Sequence, residues 1–177
     1  MFSALSERGV NIGILTNSLS TTDVAIVHSG YVNYRKPLLE NGITLWELRA
    51  EAGQQERIHW FKGKSRASLH AKTFVIDDDR TFIGSVNLDG RSILQNTEIG
   101  LLIESESLNQ QLSQLFASWV SDDSAWHVSL NDEGELQWQA RDADDHTPLT
   151  LDHDPETSRW QRMKVWMLSW LPIESQI

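Results

Sequence analysis

Between His70 and Asn87 the chain reads HAKTFVIDDDRTFIGSVN. Two apolar, β-branched runs flank the polar DDDR, which predicts two antiparallel strands, Leu69 to Ile76 and Thr81 to Ser85, folded back on a tight turn. Side chains two apart on a strand share a face. His70 and Lys72 therefore project together, and on the return strand Ser85 and Asn87 do the same. Gly84 removes a side chain where something must approach closely. An imidazole, an ammonium, a hydroxyl and a carboxamide converging on one spot suit a phosphate group: Lys72 and Asn87 hold its oxygens, and His70 attacks or protonates. Glu98, on the next expected strand (Thr97 to Ile103), is placed to orient His70 through its second ring nitrogen.

The surrounding chain follows α/β grammar. Phe2 to Arg8 reads as a helix end, GVNIGILTN as a buried strand, Thr22 to Glu40 as a helix stopped by Asn41-Gly42, and ITLWEL as the next strand. A helix is expected over Ser107 to Val120. A hairpin around Asn131 to Gly134 follows, then an acidic loop, RDADDHTPLTLDHDPE, and a terminal apolar helix, SRWQRMKVWMLSWLPI. The expected fold is an α/β mixed sheet flanked by helices, with residues 1–120 as one domain and 121–177 as a C-terminal hairpin, acidic loop and Trp-rich helix packed on it.

Charge narrows the function. The net charge is −10, which speaks against generic nucleic-acid binding, where a basic face supplies most of the affinity. With no cysteine, thiol chemistry and disulfides are excluded. No apolar run is long enough to span a bilayer. Arg57, His59, Lys62, Lys64 and Arg66 form a basic run before His70; it reads either as an attractant for anionic headgroups or as a solvated edge. Thr16-Asn17-Ser18 ends a strand and reads either as substrate-facing or as local polarity explained by an ordinary helix cap at Ser20 or Thr22. The aspartates 142, 144, 145, 152 and 154, with His146 and His153, match no metal-loop signature, and a solvated loop is expected. The terminal helix, with Trp166 and Trp170, is expected to close the core; shallow insertion into a lipid interface is the alternative.

The pattern His70-x-Lys72, Asp77, Gly84-Ser85-x-Asn87 resembles the full HKD motif of the phospholipase D superfamily. RGVNIGILTNSLSTTDVAIVHSGYVNYRKPLLENGITLWELR is similar to the segment before the second motif of bacterial cardiolipin synthases, and DPETSRWQRMKVWMLSWLPIE to the tail of their C-type branch. The resemblance runs from about Leu5 to Glu174 and implies a phospholipase D-like fold. It also implies transfer of a phosphatidyl group between lipid headgroups, as in cardiolipin synthesis, through a phosphohistidine and without a metal or other cofactor. Two HKD motifs would meet, one histidine attacking phosphorus and the other moving protons. Lys72, Ser85 and Asn87 would hold the phosphate, Asp77 would tune or brace the motif, and Glu98 would orient His70.

This sequence carries one such motif. It is therefore expected to supply half a site and to need a second half in cis, in trans or by homodimerisation, with the chain read as the C-terminal portion of a longer enzyme. The expected substrate is an anionic phospholipid such as phosphatidylglycerol. The expected location is the cytoplasm or the inner face of a bacterial membrane, by peripheral contact. The rival readings are a homodimeric phosphodiesterase acting on nucleic acid and an inactive, truncated lipid-binding module.

Overall fold

The computed structural model describes residues 2–22, 25–50, 69–87, 95–142 and 145–170. The basic run from Arg57 to Arg66 and Asp144 lie outside the described residues. The elements are α1 (Phe2–Ser6), β1 (Gly13–Asn17), α2 (Ala25–Glu40), β2 (Thr44–Leu48), β3 (Lys72–Ile76), β4 (Arg80–Gly84), β5 (Gly100–Glu104), α3 (Glu106–Trp119), β6 (Ala125–Leu130), β7 (Leu136–Arg141), β8 (Pro148–Leu151) and α4 (Arg159–Ser169). The α/β class is as expected. Contacts divide the described chain into two units: one from the stretches up to Leu69 and from Val120 onward, the other from His70 to Trp119.

In the larger unit β1 and β2 pair in parallel, Gly13 opposite Thr44 through Asn17 opposite Leu48, with α2 as the crossover that parallel pairing requires. Asn41-Gly42 stops α2 as read. Gly42 has φ 75°; its N–H donates to Leu39 O at 2.9 Å and the Ile43 N–H to Leu38 O at 3.1 Å, the two bonds of a glycine-ended helix. The hairpin also forms. Asn131 Oδ1 accepts from the backbone N–H groups of Glu133 (3.0 Å) and Glu135 (2.8 Å), bracing the turn. Strand order β1-β2-β6-β7-β8 makes this hairpin a continuation of the first sheet. Strand β8 falls in the segment read as an acidic loop. Its partly buried Leu149 and Leu151 pack on the core of Leu45, Trp126, Val128, Trp138 and Ala140. Two apolar residues between prolines and acids are too short a pattern to show from sequence.

A charged network lies against that core. Arg35 and Glu47 have side chains 1 % and 0 % exposed. Arg35 Nε donates to Glu47 Oε1 at 2.7 Å, and its Nη2 to Glu47 Oε2 at 3.2 Å and to Asp154 Oδ1 at 2.7 Å. Glu47 also accepts from Tyr31 Oη at 2.9 Å and Trp138 Nε1 at 3.0 Å. Buried charge is tolerated only when paired and hydrogen-bonded, and here α2, β2, β7 and the segment before α4 all contribute. Asp154 thus departs from the expected solvated loop. Burial pushes its carboxyl pKa up, but His28 and the Arg35 guanidinium outweigh this and hold it at about 2. Asp145 and Asp152 are exposed.

Helix α4 is capped by Ser158 and Gln161, each accepting from the other's backbone N–H. It packs against α2, and Val165 is its one buried residue. Core closure, the reading given to this helix, therefore holds for Val165 and fails for its tryptophans: Trp160, Trp166 and Trp170 are exposed. The pattern that nearly encircles the helix with apolar residues does not say which of them find a partner.

The smaller unit is an antiparallel sheet, β3-β4-β5, with α3 packed on β3 and β4. Asn109 of α3 is buried, and its amide donates to Arg80 O at 2.8 Å and Ile76 O at 3.3 Å, holding both sides of the β3–β4 turn.

Candidate functional site

Register determines where the motif residues lie. Lys72 pairs with Gly84, and Gly84 with Gly100. This row is the last of the ladder at one end of the sheet. His70 precedes Lys72, Ser85 and Asn87 follow Gly84, and Glu98 precedes Gly100, so these residues all extend from that end. His70, Ser85 and Asn87 are exposed, Lys72 and Glu98 half-buried.

Two sets of hydrogen bonds order the group. Lys72 Nζ donates to His70 O at 3.0 Å, which folds the ammonium back towards the histidine's own backbone. Ser85 Oγ donates to the Glu98 carboxylate and accepts the Ile99 N–H at 3.1 Å, while the Ser85 N–H donates to Ile99 O at 2.9 Å. The Ser85 hydroxyl is thereby engaged with the segment just before β5 that carries Glu98.

Strand alternation does not by itself produce this grouping. His70 lies outside β3, which begins at Lys72. In a continued ladder, Lys72 would share its face with Gly84 and Val86, leaving Ser85 and Asn87 on the other side. The β3–β4 ladder stops at Lys72–Gly84, while Ser85 stays opposite Ile99, one step beyond the Gly84–Gly100 pair, and the chain bends there. Gly84 is required by a close approach, as read, and the approaching groups belong to the fold. A Cβ there would stand 2.7 Å from Ile99 O, 2.8 Å from Phe82 Cζ and 2.9 Å from Gly100 Cα. The Phe82 ring covers both glycines of the row. It also meets Phe74 at 5.5 Å between centroids.

Asp77 occupies the opposite end of the hairpin. It has φ 50°, and its carboxylate accepts from Arg80 Nη2 at 2.8 Å. Five steps of extended chain separate it from Lys72, about 16 Å at the usual strand rise.

Sequence reasoning left the part of Asn17 open. Its side-chain amide donates to Leu69 O at 2.8 Å and its Oδ1 accepts the Leu69 N–H at 2.7 Å. This two-point clamp holds the backbone one residue before His70. The signal available was polarity at the end of a parallel strand, which carries no information about a partner 52 residues on.

An exposed histidine, an ammonium and a carboxamide stand at one sheet end, with an ordered serine–carboxylate pair beside them. A family profile described as "Cardiolipin synthase, PLD-like domain" matches residues 1–120, and the chain belongs to that family. Cardiolipin synthase C of Escherichia coli (strain K12) is 46 % identical over 170 residues, covering 95 % of this chain and 35 % of the relative. An uncharacterized protein of Helicobacter pylori (strain J99) is 31 % identical over 163 residues, covering 90 % and 31 %. Cardiolipin synthase A of Wigglesworthia glossinidia brevipalpis is 25 % identical over 123 residues, covering 70 % and 21 %. The chain thus spans about a third or less of the length of these relatives. No solved structure matches.

Proposed function

We propose that this chain supplies one half-site of a phosphatidyltransferase that forms cardiolipin-like lipids from phosphatidylglycerol through a phosphohistidine. The observation carrying this reading is the open sheet end shared by His70, Lys72, Ser85, Asn87 and Glu98. In the reaction one histidine attacks phosphorus and the headgroup alcohol leaves with a proton from the second histidine. An incoming lipid alcohol then gives up its proton and displaces the imidazole. Lys72 and Asn87 neutralise and hold the phosphoryl oxygens in this scheme. His70 serves as acid and base, with Glu98 fixing its tautomer. Ser85 acts by holding Glu98, since its hydroxyl is already engaged there. Asp77 braces the turn.

A second half-site completes the chemistry. Its docking is favoured by apolar side chains left exposed on β4, on β5 and just before it: Ile83, Ile99, Leu101 and Leu102. Substrate held in a bilayer brings the protein to the membrane surface, and no described helix is long and apolar enough to cross a membrane. The test is cardiolipin formation from phosphatidylglycerol vesicles by this chain together with a separately produced half carrying the other motif. His70→Ala should lower the rate on the order of 10³-fold. Turnover undiminished by that change defeats the reading, and His70-dependent DNA cleavage would replace it with the nuclease alternative.

A further inference from the structure

Helix α4 has two apolar sides, and the fold uses one. Val165 is 4 % exposed, with Leu168 and Ser169 half-buried near it. On the opposite side Trp160, Met163, Trp166, Met167 and Trp170 are 69, 42, 61, 60 and 75 % exposed. At 3.6 residues per turn these five fall within about a third of the circumference. The Trp166 and Trp170 rings meet edge to face at 5.5 Å, so this apolar strip ends in a packed pair of indoles.

Charge identifies what covers it. The helix holds Arg159, Arg162 and Lys164 and no acidic residue, in a chain of net charge −10. Arg162 and Lys164 border the strip on its two sides, and Arg159 stands at its start. Arg162 is braced by bonds from Nη1 to Thr157 O at 2.8 Å and Thr157 Oγ1 at 3.1 Å. Lys164 and Arg159 are exposed. A second copy docked two-fold on this strip would set these cations against their own kind. An anionic bilayer meets them with phosphate, and takes indole rings at headgroup depth.

We propose that the outer face of α4 is a membrane-docking surface that lies in the interface of an anionic phospholipid bilayer, with its tryptophans among the headgroups and Val165 holding it to α2. Docking is a property of this helix and does not rest on the transfer reaction or on His70.

The test floats the 177-residue chain with vesicles of phosphatidylcholine alone or mixed equally with phosphatidylglycerol. The chain should float with the anionic vesicles and stay behind with the neutral ones. Trp166→Ser with Trp170→Ser should reduce flotation by about tenfold or more. Bromine-labelled acyl chains should quench the fluorescence of the unaltered chain, and Trp166→Phe with Trp170→Phe should keep binding while losing most of that quenching. The bromine measurement uses the unaltered chain and stands even if the serine variant misfolds. Absence of quenching overturns the proposal, as does flotation unchanged in a folded serine variant. A dimer seen by sedimentation and abolished by the serine changes also overturns it, in favour of a second copy. Flotation without lipid turnover defeats only the proposed reaction, and turnover without flotation only this inference.

Discussion

Arg35 and Glu47 in the larger unit have side chains 1 % and 0 % exposed, whereas His70, Ser85 and Asn87 in the smaller unit lie open to solvent. The first group is closed. Glu47 accepts four hydrogen bonds, and Arg35 reaches two carboxylates and His28. The second is open: Lys72 is ordered by one backbone oxygen and the imidazole of His70 is exposed. The difference separates two uses of charge. A fully paired buried network specifies how elements meet, and leaves no capacity for a ligand. Chemistry needs polar groups that are positioned yet still unsatisfied.

Five changes would break or sharpen that contrast. The largest effect belongs to the closed group. Glu47→Ala leaves Arg35 buried with Asp154 as its one remaining carboxylate partner, and should destabilise the larger unit by about 3–5 kcal/mol, read as a lower urea midpoint. Gly84→Ala drives a methyl into Ile99 O and the Phe82 ring. It should destabilise the smaller unit by about 1–3 kcal/mol, with hydrogen exchange rising in β3 to β5 and unchanged in β6 and β7.

Acid probes Asp154. Its carboxyl is held at about 2 in the fold, below the ordinary 3.8. The deprotonated group therefore contributes its full stabilisation, about 2 kcal/mol, above pH 4, and loses it as pH falls from about 4 to 2. Asp154→Asn should flatten the stability profile across that window; a profile equally steep in the variant would detach Asp154 from the network. The smallest effects belong to the open group. Ser85→Ala should reduce turnover of the reconstituted pair about tenfold. His70→Ala should leave the melting temperature where it was.

The hairpin from Lys72 to Gly84, the β1-α2-β2 crossover, the helix stop at Gly42 and the Asn131 turn were all legible, because each is written in neighbouring residues. Legibility failed where a partner is distant. His28, Tyr31 and Arg35 recur at helical spacing and form one polar stripe of α2, a visible signal, but nothing nearby in sequence announces Glu47 or Asp154. The site divides in the same way. His70, Lys72, Ser85, Asn87 and Glu98 were readable as one polar group, whereas the register that sets Lys72 opposite Gly84 rather than Ser85 was not.

What the amino-acid sequence determined alone was the local elements and the motif residues they carry, since turns, caps and side-chain types act over a few residues. Tertiary structure alone decided which charges are sealed, which glycines lie beneath Phe82, that Ser85 meets Glu98, and that the tryptophans of α4 face outward. Burial and pairing are set by segments tens of residues apart meeting in space, and the free energy of a charge or an indole depends on what it meets there.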